Sequence, residues 1–233
     1  MQVFRPDIFK ERKRDPKKLW LDKNENIDQA LLNFVKKKTK LTKEILGSYP
    51  NLSSTYKKIA NFYNVDRYSL LLGHGSDGCI QNIFQALVKK NNHVLLSSPT
   101  FAMYNVYAKA FDAKISYIKY SVHNNGKISL DIKILLRLLK KKPKLFCLPN
   151  PDSPTGSILN NKLLDKIFKI CEKNNCYVLI DEAYHLFYKN SQIKKINTYK
   201  KLIIVKSFSK AFGLAGLRAG CLISNIHTID YLK

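Results

Sequence analysis

The residues most able to do chemistry lie near the end of the chain, in the stretch 207–220, which reads SFSKAFGLAGLRAG. Lys210 has small hydroxyl residues nearby, Ser207 and Ser209, and Arg218 follows eight positions later. A lysine in apolar or cationic surroundings has a lowered pKa and can condense with a carbonyl group. Hydroxyl groups and the fork of a guanidinium bind phosphate. The stretch therefore predicts a site for a phosphorylated carbonyl compound, with a plain basic loop between two strands as the alternative.

A second candidate group ends an apolar run. Asp181 closes the run YVLID, and Tyr184 follows three residues later. A carboxylate at the end of a buried strand is costly unless it is paired, and a protonated pyridine nitrogen would be such a partner. Glu182 competes for this role, but we expect its side chain to face solvent or a neighbouring loop.

Three further features lie at the ends of apolar runs. A glycine-rich turn at 73–78 includes Ser76 and Asp77 and leads into a helix, where backbone N–H groups can bind phosphate. Phe101 could stack on a planar ring or belong to the core. The loop 150–156, which reads NPDSPTG and includes Ser153, is held rigid by two prolines. Each feature alone is weak, because glycine-rich turns and buried aromatics are common packing devices.

The elements that position these residues follow from the apolar pattern. Irregular chain is expected to about residue 26, with helices at 28–39 and 53–63. From residue 70, apolar runs alternate with helical periodicity. We expect an apolar stretch at 70–78 that runs into a glycine-rich turn, strands at 93–99, 114–120, 144–150, 177–183, 202–207 and 219–224, and helices at 79–89, 101–111, 130–141, 160–174 and 228–233. Strands that are apolar throughout predict an α/β fold with a mostly parallel central sheet and helices on both faces. Loops after such strands meet at one edge, where these folds bind ligands.

Composition limits the class of protein. The 233 residues contain 41 Lys and Arg against 17 Asp and Glu, a net charge of +24. Nucleic-acid binding is one interpretation, but the lysines are scattered in pairs and triplets, so we favour a solvated basic surface. The five cysteines have neither CxxC nor zinc spacing, which predicts buried reduced thiols and no metal site. Because no run could span a bilayer and no apolar signal segment begins the chain, we expect no membrane association and a cytoplasmic location.

Taken in order, these motifs resemble the fold-type-I pyridoxal-phosphate (PLP) aminotransferases, most closely their histidinol-phosphate aminotransferase branch. GSD at 75–77, PTF at 99–101, PTG at 154–156, DEAY at 181–184 and the stretch 207–220 are similar to blocks of that family. LDKNEN at 21–26 and YP at 49–50 look like its N-terminal signatures. The match covers most of the chain, and the DEAY and 207–220 blocks are specific.

The resemblance implies PLP as the cofactor and a role for each candidate residue. Lys210 would form the imine with the cofactor and shuttle a proton, Asp181 would pair with the pyridinium nitrogen, and Tyr184 would donate to the cofactor's O3′. Phe101 would stack on the ring. The phosphate would be held by Ser76, Asp77, Ser207, Ser209 and Arg218, with Tyr49 contributed across a homodimer. Ser153 stands where the family usually has Asn, and its shorter hydroxyl replaces an amide that donates to O3′.

The resemblance also implies a domain division and a reaction. Residues 1–50 would form an N-terminal arm with part of the small domain and dimer contact, and 51–233 the PLP-binding large domain. The family continues into a C-terminal small domain with a carboxylate-binding arginine, so we expect this chain to be a fragment or a truncated product. The expected reaction transfers an amino group between an amino acid and a 2-oxo acid, and phosphorylated substrates resembling histidinol phosphate are among the candidates. The alternatives are an amino-acid-phosphate decarboxylase of the same branch, an inactive remnant, and a basic nucleic-acid-binding protein.

Overall fold

A computed structural model of the chain describes residue 15, residues 17–18 and residues 21–233. The expected irregular arm therefore lies mostly outside the described residues. Within the described part, eight strands form one sheet. They are β1 (Leu70–His74), β2 (His93–Ser98), β3 (Lys114–Val122), β4 (Ile128–Leu130), β5 (Leu145–Pro149), β6 (Tyr177–Asp181), β7 (Leu202–Ser207) and β8 (Ala219–Ile223). The helices are α1 (Gln29–Lys38), α2 (Lys43–Gly47), α3 (Ser53–Tyr63), α4 (Gly75–Leu87), α5 (Ala102–Ala110), α6 (Ile132–Leu139), α7 (Asn161–Lys173) and α8 (Ile226–Leu232).

The sheet has the order β1-β8-β7-β6-β5-β2-β3-β4. Strands β7, β6, β5, β2 and β3 pair in parallel, while β8 is antiparallel to both β1 and β7 and β4 is antiparallel to β3. The mostly parallel α/β sheet expected from the sequence is confirmed. Its carboxyl ends place the residues after β2, β5, β6 and β7 at one edge.

The reversed strand β8 brings two more segments to that edge. His74 at the end of β1 pairs with Ala219 at the start of β8, and Ser207 at the end of β7 pairs with Gly220. The first turn of α4 and the residue Arg218 therefore meet beside the end of β7. This register explains how residues more than a hundred positions apart can form one site.

Helices cover both faces of the sheet, as the continuous apolar strands predicted. On β6, Val178 and Ile180 pack with residues of α6 and α7, whereas Leu179 packs with residues of α4, α5 and α8. Each fully buried leucine or isoleucine stabilises the fold by about 1.5–3 kcal/mol. The two apolar layers therefore hold the strand ends rigidly. The five cysteines are all buried free thiols, as expected.

The structure differs from the expected elements in short segments. β4 and α2 were not predicted, because three and five residues are too few to show an apolar period. α4 begins at Gly75 instead of the expected residue 79, so Ser76 and Asp77 lie in its first turn. Across the part of the chain that is described, no helix is long and apolar enough to cross a membrane.

Candidate active site

A cavity of about 350 Å³ opens at the carboxyl edge of the sheet. Ten of the eleven predicted site residues line it: Ser76, Asp77, Phe101, Ser153, Asp181, Tyr184, Ser207, Ser209, Lys210 and Arg218. The remaining lining residues are Asp22, Lys23, Asn24, Pro149, Pro151 and Ala183. The topology thus brings together side chains from six separate segments. Tyr49 is the exception, since it lies outside this cavity with a fully exposed side chain.

Lys210 lies at the mouth of the cavity under the N-terminal segment 22–26. Its Nζ donates a hydrogen bond to the carbonyl oxygen of Lys23 at 2.5 Å and lies 5.8 Å from the centroid of the Tyr184 ring. The Asn24 amide donates to Tyr184 Oη at 3.0 Å, and the Asn26 amide donates to the Ala211 carbonyl at 3.3 Å. Segment 22–26 was expected only as a family signature, and these contacts place it over the lysine.

Asp181 forms the buried floor of the cavity. Its Oδ2 accepts a hydrogen bond from Tyr104 Oη at 2.9 Å, and its Oδ1 accepts one from the Ala183 backbone N–H at 3.0 Å. Burial raises the pKa of the Asp181 carboxyl from an ordinary value near 3.8 to about 6, against the opposing effect of these two hydrogen bonds and of Lys210. A fixed carboxyl whose pKa lies near neutrality is suited to share a proton with a basic nitrogen.

Tyr104 contacts the candidate site through Asp181, and the sequence did not reveal this contact. It lies in α5, its side chain is wholly buried, and its ring contacts Phe101 edge-on at a centroid distance of 5.8 Å. An apolar-rich helix makes a buried tyrosine look like core. The available signal was its hydroxyl, because a buried Tyr O–H needs a polar partner.

The opposite end of the cavity is suited to an anion. The first turn of α4 presents backbone N–H groups, and Ser207 and Ser209 are buried beside it. The Arg218 guanidinium lies over Gly75, where an added Cβ would be 3.1 Å from a guanidinium nitrogen. Unpaired N–H groups, the helix dipole and a guanidinium together favour a phosphate.

Gly220 of β8 packs directly against the backbone at the start of α4, and we expect its replacement to disturb that packing. A Cβ at this position would lie 2.5 Å from the Gly75 carbonyl carbon and 2.6 Å from the Ser76 nitrogen, both backbone atoms. Because backbone atoms cannot rotate away, we expect Gly220→Ala to lower the free energy of unfolding by about 3 kcal/mol. We also expect it to displace the first turn of α4 and to weaken anion binding. Urea unfolding and a phosphate titration measure the two effects.

Gly216→Ala is the matched control for Gly220→Ala. It lies in the same stretch, and among the described residues no atom lies within 4 Å of a Cβ added there. We expect its unfolding free energy to stay within about 0.5 kcal/mol of wild type. Equal stability of the two variants would contradict the close packing of β8 against α4.

The loop 150–156, which its prolines predict to be rigid, is also held by hydrogen bonds of its polar groups. The Asp152 carboxylate accepts from the Thr155 backbone N–H at 3.0 Å and from the Thr155 hydroxyl at 2.5 Å. Asn150 Oδ1 accepts from the Leu159 N–H at 2.9 Å. These bonds fix Ser153 at the wall of the cavity. Asp181 and Tyr184 line the same cavity.

The expectation for Glu182 is wrong. Its side chain is 1% exposed and pairs with Lys206, which is fully buried. A charge in a short strand suggests an exposed position, but burial becomes possible here because the opposite charge lies on the neighbouring strand. The sequence could not reveal this pair, because its members are 24 residues apart.

The donor set fits a flat phosphorylated carbonyl compound with a basic ring nitrogen. The cavity has anion-binding groups at one end, a carboxyl at its floor and an amine at its mouth. Gly75 and Gly220 allow the Arg218 guanidinium and the β8 backbone to approach the first turn of α4 closely. No group of His, Cys, Asp and Glu side chains suited to a metal ion occurs within the described ranges.

Comparison with solved structures defines the class of fold. The chain resembles histidinol-phosphate aminotransferase from Sinorhizobium meliloti in complex with pyridoxal-5'-phosphate, with a TM-score of 0.76 and 20% identity over 89% of this chain and 56% of that chain. It resembles the enzyme of the same name from Clostridium acetobutylicum with a TM-score of 0.73 and 22% identity, over 88% and 59% of the two chains. The architecture is that of the fold-type-I PLP-dependent transferases.

Sequence comparison defines the family. The family model described as aminotransferase class I and II matches residues 16–233, and the chain belongs to this family. Among curated relatives, histidinol-phosphate aminotransferase from Clostridium novyi (strain NT) is 34% identical over all of this chain and 65% of its own length. The relative of that name from Methanocaldococcus jannaschii is 34% identical over 76% of this chain and 47% of its own length. The chain thus spans about half to two thirds of the relatives' length.

Proposed function

We propose that this chain binds PLP and acts as an aminotransferase between an amino acid and a 2-oxo acid. The observation that carries the proposal is the opening of Lys210, the Asp181 carboxyl and an anion-binding helix terminus onto one cavity. Family membership supports the reaction, and the names of the relatives favour a phosphorylated amino substrate resembling histidinol phosphate. PLP, when bound, supplies a carbonyl group that condenses with amines and a ring that withdraws electrons from the carbon bearing the amine.

Binding residues divide by position. The phosphate of PLP would be bound near the first turn of α4. Its donors would be the N–H groups of Ser76 and Asp77 and the side chains of Ser207, Ser209 and Arg218, which all line the cavity. Asp77 is held by a hydrogen bond of 2.8 Å from the Tyr107 hydroxyl, which keeps its backbone in place. Phe101 lines the same cavity and would stack on the face of the ring.

The remaining residues control protons. Asp181 would hold a proton on the ring nitrogen of bound PLP, because its buried carboxyl is fixed by Tyr104 and Ala183. With PLP bound, the Lys210 amine would take the proton from the substrate Cα and return it. Tyr184 Oη and Ser153 Oγ line the same cavity and would hold the phenolic oxygen of the ring. Asn24 orients Tyr184 through its hydrogen bond to Oη.

We also propose a homodimer in the cytoplasm. Large apolar side chains of the N-terminal segment are exposed on the single chain, among them Phe34, Leu41, Ile45 and Leu46. Tyr49 is fully exposed in the same segment, which suits a contribution to the phosphate site of a partner subunit. Five buried free thiols agree with a reducing compartment.

An assay with PLP, histidinol phosphate and 2-oxoglutarate tests the reaction. We expect the chain to stay yellow after free PLP has been removed. We also expect it to form glutamate, with no release of carbon dioxide. Release of carbon dioxide from a phosphorylated amino acid would favour the decarboxylase instead. PLP binding without either product would support the cofactor site and overturn turnover by this chain alone. A colourless chain that binds DNA in a salt-sensitive manner would overturn the proposal as a whole.

A further inference from the structure

A buried ion pair lies next to the cavity, on the face of the sheet opposite the Asp181 side chain. Asp181 pairs with Val205 in the ladder, and the Glu182 backbone N–H donates to the Val205 carbonyl at 2.9 Å. Because side chains alternate along a strand, Glu182 and Lys206 share the face opposite Asp181. The side chains of Glu182 and Lys206 are 1% and 0% exposed. Each member of the pair is therefore one residue away from a residue that lines the cavity.

The Glu182 carboxylate accepts three hydrogen bonds. Its Oε2 accepts from the Lys206 ammonium and from Ser191 Oγ, the latter at 2.7 Å, and its Oε1 accepts from the Gln192 backbone N–H at 2.7 Å. The Glu182 carbonyl oxygen also lies 3.0 Å from His185 Nδ1. The carboxylate thus closes the segment 183–191 into a loop, and that loop carries Tyr184.

The Lys206 ammonium completes the network. It donates to Ser191 Oγ at 3.1 Å and faces the Tyr63 ring of α3 with its Nζ 5.3 Å from the ring centroid. Burial lowers the pKa of Lys206, and the adjacent Glu182 opposes that shift and favours the ammonium form. The pair therefore links the ends of β6 and β7 to α3 and to the loop that returns from residue 191.

We infer that Glu182 and Lys206 are positioning residues for the cofactor site, and this inference rests on the proposed function. The loop 183–191 is described throughout, and its regular structure is a three-residue 3₁₀ turn, His185–Phe187. The Glu182 carboxylate fixes where this loop returns, and so where Tyr184 lies. Lys206 fixes the end of β7, and so where the Ser207 hydroxyl lies relative to Asp181. Neither residue touches the cavity itself.

A pair that only stabilises the fold could be replaced by apolar residues without any effect on PLP binding. Removing one partner leaves a buried charge uncompensated and destabilises the fold, whereas replacing both partners with apolar residues of similar volume often restores stability. The double variant Glu182→Leu/Lys206→Met therefore separates stability from positioning. It keeps the volume of the pair but loses the hydrogen bonds that hold Ser191 and Gln192.

The experiment compares the full wild-type chain, both single variants, the double variant and the control Ile167→Ala. Ile167 is fully buried in α7 within the apolar layer on the same face of the sheet. Three quantities are measured: the urea midpoint, the Kd for PLP by absorbance, and the circular dichroism induced in the bound PLP band. The induced signal reports the orientation of the ring, which stability alone does not set.

We expect both single variants to lose stability and the double variant to regain most of it. We expect the double variant to bind PLP with a Kd roughly tenfold higher than wild type, which is the effect of weakening one hydrogen bond from a displaced Tyr184 or Ser207, and with a weaker induced signal. Ile167→Ala should lose stability while its Kd stays within about twofold. If the double variant does not fold, Glu182→Gln carries the same test at unchanged volume.

Two results would overturn the inference in different ways. A double variant, or Glu182→Gln in its place, with wild-type Kd and wild-type induced signal would show a purely structural pair while leaving the proposed function intact. A wild-type chain that binds no PLP would overturn the proposed function, and the inference with it.

Discussion

Replacing Lys210 with alanine is expected to lower the rate of amino transfer by roughly 10⁴-fold, the upper end of what a positioned general base contributes. The amine at the mouth of the cavity is the nucleophile and the proton acceptor of the proposed reaction, so one substitution removes both functions. The initial rate of glutamate formation with PLP, histidinol phosphate and 2-oxoglutarate measures the loss.

Lys210→Arg is the matched control for this prediction. It retains a cation that can donate to the Lys23 carbonyl, but it lacks a usable nucleophilic amine. We expect Lys210→Arg to bind PLP reversibly, without a bond that borohydride can reduce, and to be as inactive as Lys210→Ala. Activity of either variant within about tenfold of wild type would place the nucleophile elsewhere.

Asp181→Asn is expected to stabilise the PLP-free chain by about 3 kcal/mol at pH 8. Burial raises the folded-state pKa of this carboxyl from near 3.8 to about 6, so above pH 6 the folded wild type carries an ionised, poorly solvated group. Below about pH 4 the carboxyl is protonated in both states, and the penalty is absent. The stability difference between the variant and wild type should therefore grow as pH rises from 4 to 6 and then level off. Urea unfolding at pH 4, 6 and 8 measures it.

The same substitution is expected to harm function. An amide cannot hold a proton on the ring nitrogen as a carboxylate does, so we expect amino transfer to fall by roughly 10³-fold despite the gain in stability. Opposite signs of the two effects are typical of residues kept for function at the expense of stability. Asp165→Asn, at a partly exposed helix position, is the control and should change neither quantity appreciably. Destabilisation of Asp181→Asn at pH 8 would contradict the buried carboxyl.

The arrangement of the sheet could be predicted because its strands are short and apolar throughout. Parallel order follows from such runs alternating with helices, and once the order is known the ends of β6 and β7 must lie side by side. Asp181 and Lys210 were therefore predictable as neighbours. The reversed strand β8, which brings Arg218 to the first turn of α4, could be inferred only through the family resemblance.

The missed features depend on contacts that are distant in sequence. Nothing local to Glu182 or Lys206 indicates that each meets an opposite charge, so both look like exposed residues of a strand end. Tyr104 looks like core because its partner, Asp181, lies 77 residues further along the chain. The contribution of Tyr49 to the site of a partner subunit stays a prediction. The domain division at residue 50 stays a prediction as well.

Lys210 is the proposed covalent attachment point for PLP. The measurement is borohydride reduction of the chain with PLP, followed by protease digestion and mass spectrometry of the labelled peptide. We predict a single phosphopyridoxyl group on Lys210, at one equivalent per chain, and no label at this position in Lys210→Arg. Label distributed over the many surface lysines, with Lys210 unmodified, would contradict the account.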